Sequence, residues 1–400
     1  MKIKDLFIWV FMLSSCALLA IGRVYDERLE IAGINIGVFL SVIYLISVVF
    51  MLFSIKKTIL SKSKVLFWLF YLLVLLIPPI LWLFFDITEY GFEKAINFWL
   101  IVIPISVVVT EKYDRKDVVR TFYILLAVAA FLALLSSVGL SLSERSDGRM
   151  AALGGGPIVF GRWMGFGIFT LLFLPIKIKY VYKYSLIVIF FILALASGSR
   201  GPVLALFLTV LVYVFLNFNR VIIRICLGVL LLLSVLVFSG LETEISKLGN
   251  SKRVFMNISK KGGSKQSTST RTNLAIGSFL LLQNYPLGVG AGNWQVISNE
   301  LNPTHLMPLE YPHNLVLEVA CEYGIPTVLV LLLLFLYVFH LSYHKMIEYK
   351  NDKTSLYPLL FYLFIYLFLN SLVSGMLNDS RLLFIIISFI IIHKPLISTN

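Results

Sequence analysis

The chain has 400 residues, 59% of them apolar, and 34 Lys and Arg against 21 Asp and Glu, a net charge of +13. So much apolar surface excludes a water-soluble domain and reads as a multi-span membrane protein. The basic residues gather in short loops between apolar runs and are not interleaved with aromatics, which points to membrane orientation and an anionic lipid surface rather than nucleic acid.

In chain order, apolar runs predict twelve transmembrane helices, over 5–22, 31–55, 65–85, 95–110, 120–140, 157–176, 184–198, 202–217, 221–239, 325–343, 355–374 and 381–393. The fold class expected is therefore an all-α polytopic membrane protein. It divides into helices 1–9 over residues 1–239, one long external loop with short helices over 240–324, and helices 10–12 over 325–400. The runs at 184–198 and 381–393 are short for a span, so they are read as tilted, half-inserted or shielded by neighbours. With the N-terminus inside, nineteen basic residues fall on the inner side, eight on outer connections and span ends, and seven in the long loop. That bias places both termini in the cytoplasm and the long loop outside. Leu13-Ser14-Ser15-Cys16 mimics a lipoprotein cleavage box, but the apolar run continues to Ile21, so the first span reads as uncleaved. Three cysteines, Cys16, Cys226 and Cys321, give no disulfide framework.

The first 140 residues offer no recognisable chemistry. After them, Arg149, the Gly154-Gly155-Gly156-Pro157 turn and Arg162 mark an outer face. Arg149 and Arg162 read either as contacts for an anionic substrate or as basic residues snorkelling at a membrane edge. Ala196-Ser197-Gly198-Ser199-Arg200-Gly201-Pro202 ends one span and starts the next, setting Arg200 beside a helix N-terminus, where unpaired N–H groups already favour an anion. Gly262 to Thr270 is expected to be flexible. Arg271 follows as a second cation at a helix start, before a run in which Leu274, Gly277, Ser278, Leu281 and Leu282 share one face.

Gly288, Gly290 and Gly292 form a glycine-spaced turn that lets backbone approach a sugar or phosphate, or is purely structural; no strand precedes it, so it is not a dinucleotide fingerprint. In Tyr311-Pro312-His313-Asn314 the proline suits a first helical position, which would put His313 at a helix start. An imidazole titrating near pH ~6.5 is the best proton-handling group in the chain. Glu318 is a candidate to orient it or to meet substrate, although five residues do not face each other squarely on a helix. His340 and His344 lack a third ligand, and no Asp-x-Asp lies on the outer face. Asp379 is a further candidate contact, or pairs with Arg381.

Arg200, Arg271 and His313 thus fall on one side of the membrane. Two arginines match the bidentate geometry of phosphate, and a histidine can take a proton from a sugar hydroxyl. An outward site with cations, a base and no carboxylate cluster suits a lipid-linked diphosphate.

These residues also carry a resemblance. Ser197-Gly198-Ser199-Arg200-Gly201-Pro202 resembles the Ser-x-Ser-Arg signature of the bacterial O-antigen ligase and O-antigen polymerase (Wzy-type) family. Arg271 with Tyr285-Pro286-Leu287-Gly288-Val289-Gly290 resembles its central motif, and His313-Asn314 with Glu322-Tyr323-Gly324-Ile325 its His-Asn…Glu-x-Gly motif. The similar stretch runs over roughly 195–337. The resemblance implies a metal-independent, inverting glycosyltransferase without cofactor, at the outer face of the bacterial inner membrane, its active site facing the periplasm. It implies a donor and an acceptor glycan on undecaprenyl diphosphate, with a chain-length regulator and a flippase as candidate partners. Arg200 and Arg271 would bind the diphosphate, His313 would activate the acceptor hydroxyl, and Arg149, Arg162, Gly288, Gly290, Asn314, Glu318 and Asp379 are the candidate substrate contacts. Polymerisation of repeat units is the main expectation. Transfer of finished glycan to lipid A-core is the alternative. A transporter without covalent chemistry is a second alternative, against which stands the lack of a polar site or repeat within the spans.

Overall fold

The computed structural model describes residues 3–31, 33–55, 61–139, 150–151, 155–176, 178–217, 264–301, 311–392 and 396. Among them the chain is helical, apart from short turns and one antiparallel pairing of two-residue strands, Glu30–Ile31 with Ile34–Asn35. The helices in order are α1 (Ile3–Ile21), α2 (Ile36–Phe53), α3 (Lys62–Leu81), α4 (Glu89–Asn97), α5 (Ile103–Lys112), α6 (Arg115–Ser137), α7 (Pro157–Phe173), α8 (Tyr180–Ala196) and α9 (Arg200–Leu216). They continue with α10 (Ser264–Asn284), α11 (Trp294–Leu301), α12 (Leu315–Glu348), α13 (Tyr357–Ser374) and α14 (Arg381–Ile390). A π-turn over Phe98–Val102 joins α4 to α5, so that Glu89–Lys112 runs as one rod.

Among the described residues, six helices are long and apolar enough to cross a membrane: Ile36–Phe53, Lys64–Leu81, Glu89–Lys112, Arg115–Ser137, Leu315–Glu348 and Tyr357–Ser374. Four shorter apolar helices, Asp5–Ile21, Pro157–Phe173, Tyr180–Ala196 and Arg200–Leu216, fall where further spans are expected. The expected span at 221–239 lies outside the described residues. The all-α membrane class is thus observed. The number twelve is not.

The chain divides into two compact units, Met1–Val128 with Gln266–Asn400, and Ala129–Lys265. In the first, α1 packs on α2, α3 on α12, and α14 on α13, α5 and the π-turn. All ten residues of α14 are buried. An element apolar on every face has to be enclosed, so the short run at 381–393 is shielded by its neighbours. Polar groups released by prolines find partners from other helices. Pro78 has no N–H to give the Val74 carbonyl, and Trp99 Nε1 donates to that oxygen at 3.1 Å. A buried ion pair, Lys64 Nζ to Glu111 Oε1 at 2.8 Å, joins the start of α3 to the end of α5.

The second unit is built on α7, which is buried along most of its length and packs on α8 and α9. The close approach needs a residue without Cβ at 161, where an added carbon would lie 3.0 Å from Ser197 Oγ and 3.3 Å from the Pro202 ring. As the sequence suggests, α7 opens with Pro157 at its first position, after Gly156.

Candidate active site

In the second unit, α8 and α9 meet at an elbow. Gly198 takes φ 63 and donates its N–H to Leu195, a left-handed end to α8. The Ser197 hydroxyl accepts from the Ser199 N–H at 3.2 Å, and both serines are buried. Arg200 follows as the first residue of α9, two residues before Pro202, half-buried. The expected placement of a guanidinium at a helix N-terminus is therefore observed, with the helix starting two residues earlier than hydropathy alone suggests. Arg162 is buried in α7, one residue from Gly161, which meets the elbow. Arg149 lies outside the described residues.

The other candidates belong to the first unit. His313 sits at φ 54, the one non-glycine residue with positive φ among those described, its ring 4.2 Å from that of Tyr311. Asn314, not Pro312, opens α12. The Asn314 Oδ1 accepts from the N–H groups of Val316 at 2.9 Å and Leu317 at 3.1 Å, satisfying two donors that a helix start leaves without partners. His313 is consequently the residue just before the cap, and Pro312 is outside the helix. The Asn314 amide also donates to the Leu372 carbonyl at 3.0 Å, linking the start of α12 to the end of α13.

Nine residues into α12 the helix breaks. Gly324 takes φ 85 and ψ 165, and Pro326 follows. An unbroken helix would send the N–H of residue 325 to Cys321 and that of residue 326 to Glu322; the turn prevents the first and proline lacks the second. The glycine-spaced segment supplies both. Val289 N–H donates to the Cys321 carbonyl and Gly290 N–H to that of Glu322, each at 3.0 Å, while Ile325 N–H turns to the Pro286 carbonyl at 2.9 Å. Gly288 and Gly290 hold φ 92 and 89, and the Gly288 N–H is bonded to Tyr285. Their backbone thus completes a broken helix. Asn293 fixes the far side of the turn, its amide donating to the carbonyls of Asp86 and Val289.

Inside that broken helix lies a group that inspection of the first 140 residues overlooks. Lys94 of α4 reaches between Glu318 and Glu322, with Nζ in ion-pair contact with Glu318 Oε1 and 2.5 Å from Glu322 Oε2. The three residues are only 3%, 0% and 1% exposed, so solvent does not screen them. Two carboxylates four apart on one buried helix face repel and need a cation. Lys94 is the one basic residue between Lys64 and Lys112, and that pairing logic was available in the sequence. The second oxygen of Glu318 accepts from the Leu377 N–H at 2.8 Å. Glu318 is therefore committed to α4 and the segment after α13, and His313 is not the partner the five-residue spacing raised. Tyr90, one turn before Lys94, donates to Met376 Sδ at 3.6 Å. This cluster also supplies the polar site within a candidate span that the sequence had not revealed.

Asp379 lies in the one-turn helix Asn378–Ser380. Arg381 donates to the carbonyls of Leu19, Ala20 and Asn378, capping the end of α1. Arg271 is exposed, and it stands in the interior of α10, since residues 264–270, expected to be flexible, are helical. The face Leu274, Gly277, Ser278, Leu281 is buried as its spacing predicts, and Leu274, Leu281, Val289, Trp294 and Cys321 form one cluster. Trp294 Nε1 donates to Ser278 Oγ at 3.0 Å across it. The structure thus brings Asn314, Glu318, Gly288 and Gly290 together around the first half of α12. Arg271 and His313 belong to the same unit, and Arg162 and Arg200 to the other. Among the described residues no group of three or more His, Cys, Asp or Glu could hold a metal ion.

One stretch of the chain matches a known family model. Residues 185–332 match O-antigen ligase. The resemblance drawn from the motifs over 195–337 is borne out by that match. The matched stretch begins in α8 and ends in the second half of α12, and includes Arg200, Arg271, Gly288, Gly290, His313, Asn314, Glu318 and Glu322. Lys94, Arg149, Arg162 and Asp379 lie outside it. No curated protein matches the sequence.

Proposed function

We propose that the chain is a membrane glycosyltransferase of surface-polysaccharide assembly that polymerises glycan repeat units carried on undecaprenyl diphosphate. The observation that carries this reading is the O-antigen ligase match, whose bounds, residues 185–332, include Arg200, Arg271 and His313. In the reaction the acceptor hydroxyl oxygen bonds to the anomeric carbon of the donor glycan. The bond from that carbon to the diphosphate oxygen breaks, with inversion. His313 takes the hydroxyl proton, and the electron pair leaves with the lipid diphosphate. Arg200 and Arg271 neutralise that diphosphate as its charge grows, where a planar fork has the right geometry. Arg149, Arg162, Asn314 and Asp379 remain the proposed glycan contacts. Neither cofactor nor metal takes part. The charge bias supports a periplasmic site in the inner membrane, with both termini cytoplasmic.

The choice of polymerisation rests on the resemblance of Pro286-Leu287-Gly288-Val289-Gly290-Ala291-Gly292 to the polymerase branch. The family description itself favours a second reading, transfer of a finished glycan to lipid A-core. Glycolipid analysis of a deletion strain separates the two. Loss of a polymerase leaves core capped by one repeat unit. Loss of a ligase leaves bare core, with polymer stranded on its carrier lipid. His313→Ala is expected to reproduce the deletion, and normal glycan from that variant would remove the base from the reaction.

A further inference from the structure

We propose that Lys94 is a positioning residue for glycan transfer. In this inference it holds the first turn of α12 against the segment 372–380, so that His313 and Asp379 address one substrate. The inference rests on the glycosyltransferase reading above. Lys94 is enclosed by two carboxylates, so its charge is consumed inside the protein and does not reach a substrate. Replacing a buried ion pair with apolar side chains often leaves stability unchanged or raises it. Stability alone therefore gives no reason for three charges in two candidate spans, where ionisable groups mark function by default. Their geometry does give one. Glu318 divides its oxygens between Lys94 and the Leu377 N–H, and Asn314, one turn earlier, bonds the Leu372 carbonyl. These bonds fix three segments at one level: α4, the start of α12, and the stretch that carries Asp379. His313 immediately precedes the Asn314 cap, so its backbone position is inherited from that turn. Tyr90 repeats the clasp one turn away, through Met376.

The test uses the purified, full-length protein with a lipid-linked glycan donor, reading thermal midpoint, kcat and donor KM. Lys94→Met is expected to lower the midpoint and to reduce kcat about 100-fold, the cost of misplacing a reacting group by roughly an ångström. The neutral combination Lys94→Met, Glu318→Gln and Glu322→Gln removes the stranded charges. It should recover the midpoint while kcat stays at least about tenfold low and donor KM is unchanged. Glu318→Asp keeps the charge but shortens the reach, and should lower kcat with the midpoint near wild type. Should the neutral combination fail to fold, Glu318→Asp decides. Wild-type kcat in Lys94→Met, in the neutral combination or in Glu318→Asp overturns the proposal, as does a loss confined to KM. An unsubstituted protein that transfers no glycan defeats the glycosyltransferase reading and this inference with it, and is recognised because it appears before any substitution.

Discussion

Gly290 donates its backbone N–H to the Glu322 carbonyl, the acceptor that Pro326 leaves without its helical partner. A turn that looked suited to cradling phosphate is therefore also the closure of a broken helix. The same closure holds Glu322, and with it the Lys94 cluster, in place.

Substitution at that joint is expected to be costly. At Gly288 an added Cβ would lie 2.7 Å from the Gly324 nitrogen and 2.9 Å from the Glu322 carbonyl oxygen, backbone atoms that cannot step aside. At φ 92 a side chain is strained besides. Gly288→Ala should destabilise by about 1–3 kcal/mol or more, by the usual cost of such backbone strain. Thermal unfolding in detergent measures it, and an unchanged midpoint would contradict the closure.

The Asn314 cap offers a graded test. Asn314→Ala removes the acceptor for two N–H groups and the bond to Leu372, and should cost about 0.5–2 kcal/mol. Asn314→Asp keeps the cap and loses only the amide donor. Its midpoint should fall between those of the wild type and Asn314→Ala, and a midpoint as low as that of Asn314→Ala would show that the link to α13, not the cap, dominates.

Arg200→Ala and Arg271→Ala are each expected to abolish glycan transfer while the protein still inserts. Lysine should rescue poorly at both, because a point charge lacks the planar fork. Glycan profiles beside membrane fractionation give the answer, and wild-type glycan from both alanine variants would make these ordinary surface charges.

Orientation is open to a reporter that works only in the periplasm. Fused near Gly263 it should be active, and fused after Lys394 it should be silent. The opposite pattern would turn the site toward the cytoplasm.

Since no Asp-x-Asp lies on the face expected to be outward, purified protein is expected to keep its activity in excess chelator. Activity lost there and restored by magnesium or manganese would replace the arginine clamp with a metal.

Much of the architecture was legible because it follows from local rules. Apolar length marked the spans, Pro157 marked the start of α7, and Ser197 to Pro202 marked the elbow that carries Arg200. Errors arose where a local preference met a competing partner. Pro312 fits a first helical position, yet the carboxamide of Asn314 can accept two N–H groups, and the helix begins there instead. Residues 264–270 have the small polar side chains of a linker, yet they extend α10 and leave Arg271 in its interior. What lay beyond local rules was pairing across the chain. Glu318 was weighed against a histidine five residues away, and its partner comes from α4, more than two hundred residues earlier.

Arg381 reaches back across 362 positions to the Leu19 carbonyl. The end of α1 leaves the ribosome about 360 residues before Arg381 does. Until Arg381 is made, then, the closing carbonyls of α1 must borrow water or lipid headgroups as temporary donor partners. Assembly of this unit has a built-in order of events, in which an early helix is inserted but not sealed until a late arginine arrives. A chain stalled or cut after α13 keeps all six of the long apolar helices described above, yet presents the quality-control machinery of the membrane with an open helix end.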